Sequence, residues 1–545
     1  MISHLDLTIA GIYILAILFI GLWAGAGNFN KGANEYFLAG KRLTWPSIGL
    51  ALFATNISTV HLVSLAQSGF DSGLLNGNFE WMAVFVLITL ALLFVPFYIK
   101  SGVSTLPDFL EKRYDKASRD WLAGVSVVSA IIVHIAFSML AGGIVLKTLF
   151  GMNMYLSVII ISLITAVYTI VGGLRAVVIT ESIQTVVLLG GAVIISIAAY
   201  YRMGGWHEMK AVLQSGGELE KLSMLKPHGD SSGMPWYAVF LGYPVIGIWY
   251  WCADQTIVQR LLGAKDEDHA RAGALFCGFL KILPVFIFVL PGLLAYTLSK
   301  AGLLDVSSIT SVVDGKTVVE SKGIYTLMIT QLLPSGLIGV LVAALLSGLM
   351  SQVSGALNAV STIVTYDFYQ RYHPGVADKK LVRMGRLVAG GALVVSLFLL
   401  PLLNSYESIF VGLNDIIAHI APPITCVFVL GIFWKKASAA ASKYTLWIGS
   451  ALGVGVFIFT KTYPASLLGQ IPFMLMAFYL FCCCVLVQVV FSYIYPVQHT
   501  AESAQLYWKS PLEPLKHQGW KGLANYKVLS ACLLGIMIVL YILFK

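Results

Sequence analysis

The chain has 545 residues, of which 58% are apolar and only 11% charged, and its mean hydropathy is +0.84. Soluble domains carry about a quarter charged residues, so this composition excludes an aqueous fold and leaves a bilayer as the natural solvent. The net charge of +9 does not signal a nucleic-acid partner, because the basic residues sit in short loops between apolar stretches.

About 20 apolar residues suffice for a helix to cross the hydrocarbon core. Fourteen such stretches are predicted, near 6–27, 45–68, 79–99, 121–147, 154–171, 176–200, 236–259, 272–298, 335–364, 384–402, 408–433, 444–461, 471–493 and 526–544. The first has neither a basic start nor a small-residue cleavage site, so it is expected to be retained as a span. An even number of spans puts both termini on one side. With the N-terminus outside, 24 of the 35 Lys and Arg fall in inner loops, so the positive-inside bias predicts both termini outside. The compact loops and the absence of cysteines from the outer loops point to a bacterial inner membrane. All seven Cys lie in apolar stretches without metal-ligand spacing, and they read as small buried or lipid-facing residues. The long outer loops near 201–235 and 299–324 read as solvated surface.

Within the second stretch, Thr55, Asn56, Ser58 and Thr59 interrupt the apolar run, followed by His61. These residue types prefer caps and turns to lipid-facing helix. Backbone carbonyls freed at such a break can coordinate a small cation, the alternative being side chains that bond back to their own helix. Glu80 opens the third stretch, where a carboxylate also suits a helix N-terminus. The seventh carries Pro244 and then the Tyr250-Trp251-Cys252-Ala253-Asp254-Gln255 string. Pro244 should weaken the helix in its outer third. The rings of Tyr250 and Trp251 are stacking faces for a sugar or ordinary packing, and Asp254 is expected to pair with a basic residue near the inner surface.

Lys281 lies ten residues beyond Arg271, about 15 Å along a helix. An ionised Lys at that depth costs about 2.5–3.5 kcal/mol even on the mildest scale, so it must face a partner or a wet cavity. Beside Glu80 it would make a hydroxyl-binding pair. In the ninth stretch Ser347, Ser351, Ser354, Gly355 and Asn358 share one helical face, suited to close helix packing or to a cation site against the broken span at Asn56. Two discontinuous spans set five apart fit an inverted-repeat transporter. The expected architecture is all-α and forms a single transmembrane unit. It comprises a leading helix and loop (1–44), a first five-helix repeat (45–200), a second (236–433) and peripheral C-terminal helices (434–545).

At these residues the sequence resembles the solute:sodium symporter family and, within it, the sodium/glucose cotransporters. The likeness runs from about residue 35 to 440. It is carried by Glu35 through Lys41, Ala54-Thr55-Asn56-Ile57-Ser58, Phe79-Glu80-Trp81, Val171 through Ala176, Trp249 through Gln255 with Ile257 through Arg260, Leu280-Lys281, and Phe428 through Lys436. The resemblance implies a leucine-transporter-type core of five plus five helices and alternating access around a central site. It implies sugar contacts from Asn56, His61, Glu80, Tyr250, Trp251, Lys281 and Asn414. Tyr250 would double as the inner gate, and Leu65, Phe79 and Phe410 would form the outer one. Sodium would be held by carbonyls of Ala54, Ile57 and Gly348 and by Ser351.

Four positions depart from the family pattern. Gln352 stands where a second serine hydroxyl is expected, and its amide oxygen could still ligate sodium. Glu181 replaces a shorter aspartate on an inner sodium path, Asn414 replaces a glutamine, and Gly247 replaces a polar side chain. The expected function is sodium-coupled import of a hexose or related polyol, with sodium as co-transported ion, no other cofactor and no enzymatic activity. Symport of an inositol, a sugar acid or an amino acid, proton coupling, and a sensor or leak channel on the same scaffold are the alternatives.

Overall fold

The computed structural model describes residues 3–26, 32–230, 234–313, 316–403, 409–510 and 512–545, with the side chains of residues 59, 60, 148, 150, 312–318 and 409–412 outside that set. The main helices are α1 (His4–Ala26), α2 (Trp45–Asn56), α3 (Thr59–Ser72), α4 (Asn78–Thr89), α5 (Leu106–Arg113), α6 (Lys116–Ser129), α7 (Phe137–Phe150) and α8 (Met154–Met203). They continue as α9 (Trp236–Ile248), α10 (Gln255–Leu262), α11 (Glu267–Leu280), α12 (Leu290–Lys300), α13 (Leu337–Ile363), α14 (Asp378–Leu403), α15 (Ile409–Phe433), α16 (Ala439–Thr462), α17 (Phe473–Ile494) and α18 (Tyr526–Leu543). Among the described residues one antiparallel hairpin, Thr310–Val313 with Lys316–Val319, lies in the loop near 299–324.

Within the described residues, each predicted stretch coincides with helix to within a few residues. Among the described residues eleven helices can cross a membrane by length and apolarity, or twelve with the bent α2–α3 pair counted as one span. The two further predicted spans fall within one continuous helix and across a break. Helix α8 runs 50 residues, about 75 Å at helical rise, more than twice a hydrocarbon core of about 30 Å. It is long enough for two crossings. The turn falls at Gly173, whose φ of 62° no residue with a Cβ adopts readily and whose missing side chain lets the Tyr36 carbonyl approach. The seventh predicted span is divided at Asp254 into α9 and α10, each too short to cross alone.

The two breaks set the site. The first broken span, α2–α3, ends its helical course at Ile57 (ψ 102°) and Ser58 (ψ 175°), both extended, and bends by 61°. Ser58 restarts the chain as N-cap of α3, and its N–H donates to His61 Nδ1 at 3.3 Å. In the second broken span, α9 continues past Pro244 rather than breaking in its outer third. It unwinds into a π-turn over Trp249–Ala253 and passes through extended Asp254. That carboxylate caps α10 by accepting from Thr256 N–H at 2.7 Å. Tyr98 hydroxyl donates to the Cys252 carbonyl freed in this turn, at 2.5 Å.

Around the breaks, α13 is buried along nearly its whole length and packs on both crossings of α8. Its N-terminus is capped in trans by Asp6 of α1, whose Oδ1 accepts from Gly336 and Gly339 N–H at 2.7 and 2.8 Å. The last helix, α18, leans on the opposite side: Leu533 fits against Gly278 of α11 and Tyr541 hydroxyl donates to Asn78 of α4 at 3.0 Å.

Candidate functional site

A central cavity lies between the two breaks. Its walls include Asn56, Ser58, His61, Phe79, Glu80, Tyr243, Gly247, Tyr250, Trp251, Lys281, Gln352 and Asn414. All seven residues that the resemblance assigns to sugar thus border one space, although they come from five different segments.

Lys281 ends α11 just before Pro284 and a second π-turn, Val285–Val289. Pro284 has no N–H to return to the Leu280 carbonyl, and beyond the helix end the Ile282 carbonyl accepts from Trp81 Nε1 at 3.3 Å. The ammonium of Lys281 is 1% exposed. It pairs with Glu80 Oε2, donates to Asn56 Oδ1 at 2.5 Å, and stands 5.6 Å from the Trp251 ring centroid. Neighbouring Trp81 turns away from the cavity and holds the Lys281 turn, so the Phe79-Glu80-Trp81 string serves both the cavity and its outer wall. A lysine, a carboxylate and an amide arrayed in one desolvated space supply donors and acceptors for adjacent hydroxyls. Breaking such a buried pair costs about 3–5 kcal/mol, which explains why all three groups are tied together.

His61 Nδ1 accepts from the Ser58 N–H, so the neutral ring carries its proton on Nε2 and can donate to a guest. Asn56 Nδ2 donates to the Tyr250 hydroxyl at 3.2 Å, joining the two broken spans beneath the cavity. Toward the predicted outer face, Phe79 stacks on Phe473 at 6.2 Å and meets Tyr243 edge-on at 6.0 Å, and Leu65 is fully buried. The side chain of Phe410 lies outside the described residues. Gly247 is explained by its neighbour: a Cβ there would stand 2.7 Å from the Tyr243 ring, so that ring fills the space where a polar side chain is usual.

The expected cation ligands are brought together in part. Ser351 Oγ donates to the Ala54 carbonyl at 3.0 Å and lies 3.2 Å from the Gly348 carbonyl. A hydroxyl set between the Ala54 carbonyl beside the break of α2 and the Gly348 carbonyl of its own helix is an oxygen set suited to sodium, with the hydroxyl turning to present its lone pairs. Gln352 is 4% exposed, and its Oε1 finds no hydrogen-bond partner among the described residues. A buried amide oxygen without a donor suits a cation, and costs about 1–3 kcal/mol if left unsatisfied. Glu181 is engaged rather than open. It forms a buried pair with Arg260 at 2.5 Å and accepts from Thr55 at 3.2 Å. Gly355 makes room for that pair, because a Cβ would meet Arg260 Nη2 at 2.3 Å.

Asp254 differs from expectation. Its partner is His134, whose Nε2 lies 2.7 Å from Asp254 Oδ2, rather than an inner-surface Lys or Arg. His134 was missed in the sequence, since a single histidine in the apolar Ala130–Ala136 turn carries no local signal of its partners. Arg260 as the partner of Glu181 was missed for the same reason. Among the described residues no group of three His, Cys, Asp or Glu is placed to hold a metal ion.

The model of the sodium:solute symporter family matches residues 36–449. Sodium/glucose cotransporter 1 of Ovis aries is 34% identical over 474 residues, covering 83% of this chain and 71% of that protein. The sodium/mannose cotransporter of Bos taurus is 32% identical over 489 residues, covering 85% and 81%. The solved structure of a sodium-coupled sialic acid symporter, in a substrate-bound outward-open state, matches with a TM-score of 0.77 at 21% identity, covering 91% of this chain and all of that one. The architecture is thus the all-α leucine-transporter-type fold.

Proposed function

The chain belongs to the sodium:solute symporter family, and from that premise we propose that it imports a hexose or related polyol, driven by the sodium gradient through alternating access. It is a multi-pass membrane transporter rather than an enzyme. The observation that carries the sugar reading is the buried Lys281–Glu80–Asn56 array beside the Trp251 ring, in a cavity closed below by Tyr250. Hydroxyls are the ligands for which a charged donor, a charged acceptor and an aromatic face are jointly suited. The relatives that carry glucose and mannose by name support the same class.

In this mechanism sodium enters from outside and is held by carbonyls of Ala54, Ile57 and Gly348, by Ser351 and by Gln352. It ties the first broken span to α13 and orders Asn56 and His61. Sugar hydroxyls then exchange with the existing contacts: Glu80 accepts, Lys281 and His61 donate, and Asn414 adds an amide. Phe79, Leu65 and Phe410 close the outer side. Sodium departs by way of Glu181 once Arg260 gives way, Tyr250 then leaves Asn56, and the inner side opens to the sugar. One sodium charge crossing 100 mV supplies about 2.3 kcal/mol, enough for about fiftyfold accumulation of an uncharged sugar. The residues 45–200 and 236–433 act as the two repeats that rock against each other. The protein sits in the cell membrane, by its compact loops and cysteine-free outer loops a bacterial inner membrane, and by its charge pattern has both termini outside.

Uptake of labelled glucose, galactose and mannose into proteoliposomes tests the proposal, with an inward sodium gradient and then with potassium in its place. Sodium-dependent accumulation of one of the three is expected. Flat traces for all three in both salts would contradict it.

A further inference from the structure

The proposed sodium site and the proposed inner gate lie on different elements, and a chain of three buried side chains joins them. Gln352 of α13 approaches His134, with Nε2 to Nδ1 at 2.7 Å. His134 reaches Asp254, with Nε2 to Oδ2 at 2.7 Å. Asp254 Oδ1 accepts from Thr256 N–H at 2.7 Å and so fixes the break that follows the Tyr250 turn. All three side chains are at least nine-tenths buried, and the His134 ring stands 5.7 Å from that of Tyr250.

The amide of Gln352 turns its Nε2 toward His134 Nδ1, so the amide donates there, Nδ1 accepts, and the N–H on Nε2 of the ring donates to Asp254 Oδ2. With the amide in that orientation its oxygen lies in buried space with no hydrogen-bond partner among the described residues. That orphaned oxygen is what a bound cation would satisfy. With the cation gone, the amide has reason to rotate toward any donor, and rotation would set its carbonyl against the lone pair of Nδ1. Both nitrogens of His134 are committed within the chain, so the residue has no hydrogen bond to offer a sugar even though it borders the cavity.

We propose that His134 is a positioning residue that couples sodium occupancy to the inner gate, by passing the orientation of the Gln352 amide to Asp254 and thence to the turn bearing Tyr250. The inference rests on the sodium and gate assignments proposed above. Sodium at Gln352 holds the amide, the amide holds the imidazole, and the imidazole holds the break closed. Sodium departure releases the break and lets Tyr250 leave Asn56.

The test compares wild type with His134→Leu, His134→Gln and Gln352→Ser in proteoliposomes. Two quantities are read: the dependence of the sugar KM on sodium concentration, and sodium influx without sugar. A glutamine at 134 can accept from Gln352 and donate to Asp254, whereas leucine can do neither. His134→Leu and Gln352→Ser should flatten the fall of KM with sodium by about tenfold, the scale of one hydrogen bond to a charged group, and should raise sugar-free sodium influx. His134→Gln should restore both. Joining His134→Leu to Gln352→Ser should add nothing, as expected for members of one chain. A His134→Leu protein that keeps the wild-type dependence of KM on sodium while losing only maximal rate would overturn the relay, as would a His134→Gln protein no better than the leucine variant. If wild type itself shows no sodium-dependent uptake, the transport reading fails and the relay fails with it.

Discussion

The two broken spans do the same topological job by different chemistry. At the first, two extended residues, Ile57 and Ser58, interrupt the helix, and the exposed groups are backbone carbonyls answered by the Ser351 hydroxyl. At the second, the helix loosens into a π-turn carrying Trp249, Tyr250 and Trp251 before one extended residue, Asp254, caps the continuation. The first break therefore presents oxygen to an ion, and the second presents aromatic surface to a sugar and a gate. What joins them is polar and small in number: Asn56 to Tyr250 directly, Asn56 to Lys281 across the cavity, and the Gln352–His134–Asp254 chain below.

The largest effect should come from the group that both breaks share. Lys281→Ala leaves Glu80 buried without its partner, which should abolish sugar uptake and lower stability by about 3–5 kcal/mol, read as lost transport and a lowered melting temperature. Replacing both members, as Lys281→Met with Glu80→Leu, should recover much of the stability without transport. A Lys281→Ala protein with normal uptake would remove the cavity from the account.

Next in size is a change confined to the first break. Ser351→Ala deletes one proposed ligand and should raise half-saturating sodium by about tenfold, while the sugar KM at saturating sodium stays near wild type. An equal rise in both constants would mean that the two breaks are not chemically separate.

Tyr250→Phe probes the second break. It keeps the ring and removes the hydroxyl that Asn56 donates to. A loss of about 1 kcal/mol should weaken inner closure severalfold, seen as faster sugar efflux from loaded vesicles.

The smallest effect is expected from Tyr98→Phe, which deletes the bond supporting the Cys252 carbonyl. Stability should fall by about 1 kcal/mol, measured as a small drop in melting temperature, with the sugar KM little altered.

Much of this arrangement is legible in sequence because a membrane exaggerates the signal of polar residues. Lys281, Glu80 and the Thr55–Thr59 interruption stand out against apolar surroundings, since each would be costly facing lipid. The helical face of Ser347, Ser351 and Ser354 follows from periodicity alone. Partners are harder to read. His134 and Asp254 are 120 positions apart and Glu181 and Arg260 are 79 apart, and nothing local links either pair. The division of α8 is legible only when helical rise is set against bilayer thickness, because the glycine that turns it sits in an otherwise continuous apolar run. The location of the second break does not follow from Pro244, which α9 passes without a break. A proline weakens a helix by one hydrogen bond, whereas the unwinding here occurs where Asp254 and Tyr98 can satisfy the freed backbone.

The most direct measurement is equilibrium binding of labelled hexose to the purified protein across a sodium titration, with potassium keeping ionic strength constant. The account predicts that sugar affinity rises with sodium, because the ion orders Asn56 and His61 at the first break before the sugar meets Lys281 and Glu80. Hexose binding that is saturable but indifferent to sodium would contradict it.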